Sequence, residues 1–330
     1  MGGQASSEDL LPLGYGEGER NKVRVKRSNP EMQGKFTVRH CHPQDPRDAA
    51  AYERLKEGAV FAHLLSRPDY QVSESLFFAE ANGVIIGFVN VLPELGIGRV
   101  ILESGVSSLY KLQVVLKRLS DRAMKRARGL GAKVAHASIP ATEAAQAELL
   151  SNLGFKVVRR FYELKLDASS VNLEAAAQSG LEFRHLKAGE EGLLAWIENR
   201  CFMGTWGFNP NTAEYIGWEL SIRGDCPDDV FLALSEGKTI GYCWTEAKYG
   251  QDSSTDKRKG RIYMLGVDTD YRGKGLGKKL LRAGLLHLRN KGRELIDITV
   301  DSQNIVAVTL YRSMGFQMHG ETVWYEKAVH

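Results

Sequence analysis

The apolar and polar positions of this chain follow a pattern that occurs twice. Phe36-Thr-Val-Arg39-His40 alternates with the period of a strand, and Leu181-Glu-Phe-Arg184-His185 repeats it, Arg-His pair included. Two apolar runs follow, each predicting a hairpin. Leu76 to Ile86-Gly87 turns at Gly83, and Val230 to Ile240-Gly241 turns at Gly237, with the same Gly-to-Gly spacing. Next come helices with apolar stripes: Leu112, Val115, Leu116 and Leu119 in the first copy, and Leu276, Leu280, Leu281, Leu285 and Leu288 in the second. Each copy then shows a helix stopped by glycine and followed by phenylalanine, Gly154-Phe155 and Gly315-Phe316, as a left-handed C-terminal cap requires. Final strands are expected at Arg160 to Leu166 and Thr322 to Lys327. Each half reads as a mixed α/β unit with an antiparallel front and a parallel back.

Composition changes this picture little. The 330 residues suit two domains of ordinary size, with 43% apolar and 25% charged residues. Residues 1–34 read as a flexible polar tail carrying the basic run Lys22 to Arg27, 35–167 as the first domain, 168–180 as a linker and 181–330 as the second domain. Gln251 to Gly260 reads as a loop. A net charge of +4 with one local basic run does not suggest nucleic acid. No apolar run reaches the ~18–20 residues of a membrane span. The N-terminus lacks an apolar signal-peptide core, so a cytoplasmic protein is expected; a monomer or homodimer is the expected assembly. Cys41, Cys201, Cys226 and Cys243 form no metal or disulfide spacing and read as reduced thiols. The eight histidines show no metal spacing, and His40 and His185 read as structural.

The chemistry concentrates between Arg261 and Leu281. An apolar strand, Ile262 to Val267, is followed by a short acidic turn. The glycines of Arg272-Gly273-Lys274-Gly275-Leu276-Gly277-Lys278 then open the leucine-striped helix. Unpaired N–H groups and the helix dipole make such a turn an anion site, and missing side chains let phosphate oxygens approach. A nucleotide P-loop does not fit, because Arg272 and Lys279 stand where Gly and Ser/Thr are needed. The dinucleotide pattern lacks its third glycine, although Asp297 falls near a ribose acid's place.

Arg-x-x-Gly-x-Gly after a strand ending in Val267-Asp268, followed by Asn304, Ala307, Leu310-Tyr311 and Gly315-Phe316, resembles the GCN5-related N-acetyltransferase (GNAT) family. The resemblance covers about residues 182–328. Asn199 to Phe202, Trp206-Gly207 and Ile240 to Trp244 are similar to tandem-domain members of the mycothiol synthase type. It implies two tandem domains, each with a mostly antiparallel sheet, a parallel splayed pair and flanking helices. It further implies an enzyme that transfers an acetyl group from acetyl-CoA to a primary amine, without a metal. Amides from Arg272 through Gly273, Lys274, Gly275, Leu276 and Gly277 to Lys278 would hold the pyrophosphate, and Leu265, Gly266 and Val267 would pair with the pantetheine arm. Asn304 caps its helix and would also touch that arm. Tyr311 would protonate the departing thiolate, as a phenol can at neutral pH.

Many family members carry a Glu base near the start of the motif strand; Arg261 stands there in this chain. Glu246, at the end of the preceding strand, is the nearest replacement, with a solvated surface position as its alternative. Trp206, Phe208, Trp218 and Trp244 are candidates to line an acceptor pocket, against the commoner reading as core. The first half reads Val100 to Gln113 at the corresponding place, with only Gly105 at the turn, and Ser151 in the place of Tyr311. It is expected to keep the fold without the cofactor site. A small-molecule acceptor is expected; a peptide acceptor, or a non-catalytic acyl-CoA-binding regulator, remains as an alternative.

Overall fold

The computed structural model describes residues 35–108, 110, 112–171, 173, 182–224, 226–247 and 258–330. The expected tail, most of the linker and most of the 251–260 loop lie outside them. In the first half the elements are β1 (Thr37–His40), α1 (Pro46–Leu55), α2 (Phe61–Leu65), α3 (Val72–Ser75), β2 (Leu76–Ala81) and β3 (Val84–Glu94). They continue with β4 (Arg99–Val106), α4 (Leu112–Gly129), β5 (Val134–Pro140), α5 (Ala144–Asn152) and β6 (Lys156–Asp167). The second half runs β7 (Glu182–His185), α6 (Glu191–Phe202), α7 (Ala213–Arg223), β8 (Val230–Ser235), β9 (Lys238–Glu246) and β10 (Lys259–Val267). It ends with α8 (Leu276–Asn290), β11 (Leu295–Asp301), α9 (Ile305–Ser313) and β12 (Gln317–Ala328).

The repeat seen in sequence has a physical counterpart at each landmark. Both hairpins turn through two positive-φ residues, Asn82-Gly83 and Glu236-Gly237, which matches the twist of the flanking strands. Both carry a register shift at the same place, after Ala79 and after Ala233. Arg39 is ion-paired with Asp48 and Arg184 with Glu190, fixing each first strand to its first helix. His40 Nδ1 lies 2.8 Å from the Ser73 carbonyl, and His185 Nδ1 lies 2.6 Å from that of Asp228. The two histidines are structural. All five leucines of the α8 stripe are buried, each contributing about 2 kcal/mol of burial free energy. The 251–260 loop closes earlier than expected. Lys259 and Gly260 already pair with Leu295 and Ile296, while Arg258 accepts from Glu294 and Leu295.

Among the described residues, twelve strands form one sheet in the order β1-β2-β3-β4-β5-β12-β6-β11-β10-β9-β8-β7. Its parallel pairs are β4–β5 and β10–β11; the other contacts are antiparallel. The centre is an exchange. β12 belongs to the second half in sequence but pairs with β5, and β6 belongs to the first half but pairs with β11. The two exchanged strands then pair with each other. Helices cover both faces. α4 and α5 pack on one face of the first half and α1 to α3 on the other; α8 and α9 do the same against α6 and α7 in the second. The start of the expected linker is docked: Ala168 and Leu173 are buried in the α8–α9 core.

Candidate active site

The glycine segment lies where strand β10 hands over to helix α8. Asp268 begins a short turn. Its carboxylate accepts from the Asp270 N–H and from Arg200, which also reaches Asp270 at 2.9 Å. The Arg200 hydrogen bonds hold the Asp268 carboxyl below its ordinary range. Gly273 and Gly275 adopt left-handed φ of 78° and 73°, and a Cβ on either would meet nothing within 4 Å. Gly275 is the N-cap of α8, and no side chain caps the helix. The first-turn N–H groups of Leu276, Gly277 and Lys278 therefore have no intrahelical partner and no side-chain cap. A positive helix end with open glycines beside Lys274 and Lys278 fits a phosphate ligand. The Arg272 guanidinium points back to the chain, donating to the carbonyls of Val267 at 3.1 Å and Cys201 at 2.6 Å. It braces the loop.

Strand β10 supplies a second feature. Its pairing with β11 stops at Arg261, so residues 262–267 have an open edge on that side while β9 holds the other. An extended ligand arm has backbone groups to pair with there. Within this stretch the ladder to β9 shifts between Ile262 and Met264, a bulge that makes Tyr263 the extra residue. Tyr263 and Met264 consequently both turn to the α6–α7 face, while Leu265 and Val267 pack against the α8–α9 core. Gly266 leaves room for close packing: a Cβ there would stand 2.8 Å from Cys201 Cβ and from Tyr242. No residue pattern along the chain marks the bulge.

Asn304 is the N-cap of helix α9, and its side-chain oxygen accepts from the Ala307 N–H at 3.1 Å. That is the capping role expected of it. Tyr311 lies in the buried α8–α9 core against Phe316, and burial pushes its phenol well above the ordinary value. It stays protonated at neutral pH. Its counterpart in the first half is Leu150, not Ser151. Phe316 N–H donates to the Tyr311 carbonyl and Phe155 N–H to that of Leu150, so the helix-ending bonds align these two positions. The apolar Leu150 packs against the first core.

The carboxylates were the hardest part to read from sequence. Glu246 is 5% exposed, not solvated, and Arg223 and Arg261 flank it. Glu219, on α7, accepts from the Tyr263 hydroxyl at 3.0 Å and pairs with Arg223 at 3.3 Å. Glu198, on α6, is 2% exposed, and its Oε2 has no hydrogen-bond partner among the described residues. Burial, then the Glu219 charge, pushes its carboxyl up to about 7. A signal for both acids existed. Leu194, Ile197, Glu198 and Cys201 share one helical stripe, as do Ile216, Glu219 and Leu220, so each Glu interrupts an apolar face.

Glu198, Glu219, Tyr263 and Met264 line a cavity of about 250 Å³ that also takes Arg67 and Glu94 from the first half. Of the four aromatic candidates, Phe208 reaches this cavity. Trp244 is in the core, edge-on to Tyr263 at 5.0 Å. Trp206 packs with His136, Phe161 and Trp324 where the halves meet. Trp218 donates its indole N–H toward the His63 carbonyl and Ser66. These indoles join apolar surface to a polar neighbour, and packing places them outside the cavity wall. The four cysteines are unpaired. No helix among the described residues is long and apolar enough to cross a membrane.

Comparison with known proteins agrees with this geometry. The family model described as "Acetyltransferase (GNAT) family" matches residues 192–316. A mycothiol acetyltransferase of Paenarthrobacter aurescens (strain TC1) is 30% identical over 243 residues, 72% of this chain and 73% of that one. Among solved structures, a GCN5-related N-acetyltransferase from Sphaerobacter thermophilus aligns over 89% of this chain and 96% of its own, with TM-score 0.66 and 19% identity. A tandem GNAT protein from the clavulanic acid biosynthesis pathway aligns over 90% and 99%, with TM-score 0.68 and 14% identity. The chain belongs to the GNAT acetyltransferase family. It is an acetyltransferase enzyme of the tandem type.

Proposed function

We propose that the protein transfers an acetyl group from acetyl-CoA to a primary amine of a small-molecule acceptor, by direct attack within residues 181–330. The observation that carries this reading is the open, uncapped glycine turn at the start of α8, at the end of a strand whose β11 side is free. Amides from Gly273 to Lys278 hold the pyrophosphate, and Leu265 to Val267 pair with the pantetheine arm. The Val267 N–H, or a neighbour's, polarises the thioester carbonyl. Tyr311, kept protonated by burial, gives its proton to sulfur. Oriented backbone donors and proximity supply most of the acceleration. Residues 35–167 keep the fold without a cofactor loop, joined through 168–180. A cavity of about 250 Å³ supports a small acceptor, as does the name of the mycothiol acetyltransferase relative.

Calorimetric titration with acetyl-CoA tests the proposal. One site per chain is expected, with affinity reduced at least ~100-fold in Gly275→Glu, which puts a negative charge and a strained left-handed residue at the anion site. Two sites would assign cofactor binding to the first half as well. No binding would leave the fold without this cofactor.

A further inference from the structure

Three buried carboxylates surround the exposed face of the β10 bulge, and they are not equivalent. Glu246 is held between Arg223 and Arg261, and Glu219 between Arg223 and the Tyr263 hydroxyl. Both are ion-paired, although Glu246 Oε2 too lacks a hydrogen bond. Glu198 has no ion-pair partner among the described residues, is almost wholly buried, and leaves one oxygen without a hydrogen bond on a cavity wall. A buried acid without an ion pair is costly to ionise, and such acids in a cavity are candidates for proton transfer. Its position is also specific. Cys201, one helical turn further along α6, touches the strand at Gly266, so Glu198 sits over the preceding stretch, Tyr263 and Met264, which shares its cavity. That stretch lies next to the open edge of β10.

We propose that Glu198 is the general base of the reaction, and that the cavity beside it receives the acceptor as a cationic amine. This rests on the function proposed above. The incoming ammonium gives one proton to the Glu198 carboxylate. The freed lone pair forms the C–N bond to the thioester carbon, and the C–S bond breaks with its electron pair going to sulfur. Sulfur takes a proton from Tyr311, and the second proton leaving nitrogen restores the phenol through solvent. Glu198 then releases its proton to water, so one proton appears per turnover. The carboxylates of Asp69, Glu94, Glu198 and Glu219 line the cavity against one lining guanidinium, Arg67, and this excess favours a cation there, although Glu94 and Glu219 also pair with Arg99 and Arg223. Glu94 comes from the first half, which makes that half part of the acceptor site.

The titratable and charged groups facing Glu198 are Tyr215, Glu219 and Arg223 of α7, Tyr242 of β9, Tyr263 of β10, and Arg67, Asp69 and Glu94 across the cavity. Tyr242, Asn211 and Arg223 favour the charged form, opposing burial and Glu219. The acid limb of the rate profile is therefore expected near pH 7.

The test uses the full chain with methylamine, ethanolamine, glucosamine and 1,5-diaminopentane, following CoA release from pH 5 to 9. Glu198→Gln should lower kcat ~10²- to 10³-fold at neutral pH and abolish the acid limb. Calorimetric affinity for acetyl-CoA should stay within about twofold of wild type. Glu198→Asp, should the Gln variant fold poorly, is expected to lose rate yet keep an acid limb. An unchanged rate and limb in Glu198→Gln would overturn the base assignment. Turnover of none of the four amines by a wild-type protein that binds acetyl-CoA would overturn the amine assignment. A wild-type protein that binds no acetyl-CoA would remove the underlying reading instead, and calorimetry separates the two failures.

Discussion

Five residues separate Val106, at the end of β4, from Leu112, where α4 begins; eight separate Val267 from Leu276 in the second half. The strands before these gaps differ too. β4 pairs with β3 over eight unbroken steps, whereas β10 shifts register at Tyr263 against β9. Elsewhere the halves share their devices. Gly87 and Gly105 leave room that Val115, Phe88 and the Leu55 carbonyl fill, and Gly241 and Gly266 do the same for Leu280, Tyr242 and Cys201. The comparison separates two kinds of constraint. Close packing of helix on sheet needs small residues at the same places in both halves. The longer glycine turn and the bulge occur in one half, and both are features a ligand would use.

Replacing Tyr311 by Phe gives the largest expected contrast. kcat should fall ~10²- to 10³-fold with acetyl-CoA affinity unchanged, while Leu150→Ala in the first half costs stability and not chemistry. Steady-state rates beside melting curves separate the two.

Next come the buried carboxylates on each half's first long helix. Asp48 is buried, but the Arg39 hydrogen bonds, the His42 N–H and the Arg39 charge together outweigh that burial and hold it below the usual range; Glu198 sits at about 7 against an ordinary 4.5. Between those two values the folded state keeps a proton that the unfolded chain has lost. The contribution of Glu198 to stability therefore falls as pH rises from 4.5 to about 7 and is level above. Glu198→Gln should gain on the order of 3 kcal/mol at pH 8 and nothing below pH 4.5. Asp48→Asn should lose stability at pH 8. Denaturant titration at several pH values checks both signs.

Alanine at Gly105 or at Gly266 should cost about 1–3 kcal/mol, because each added Cβ meets atoms closer than 3 Å. Only the Gly266 variant should also raise the KM for acetyl-CoA. The smallest effect is at the caps. Asn304→Ala should lose about 1 kcal/mol, and Glu143→Ala, whose side chain caps nothing, less than about 0.5 kcal/mol by thermal melting.

Much of this was legible in the chain. The Arg-His strands, the Gly-turned hairpins, the leucine stripe of α8 and the Gly-Phe helix ends are local signals with local causes. The exchange of β6 and β12 was not. A strand's own residues set its two faces, but its neighbour is chosen by contacts far along the chain. Glu246 looked like a surface residue because its partner, Arg223, is 23 positions away on a helix. Glu198 and Glu219 did leave a trace as charges inside apolar stripes. Counting from the Leu before Tyr311 points to Ser151, because it misses the bond that ends the helix at Phe316.

The exchange of end strands bears on how the nascent chain acquires its structure. When β5 emerges from the ribosome its eventual neighbour, β12, is still some 180 residues from being made. At ~5–20 residues per second, that edge waits roughly 10–40 s with open N–H and C=O groups. Neither half can therefore finish folding ahead of the other. Synthesis of the second completes the first, and a chain truncated before β12 would present β5 to whatever strand it meets.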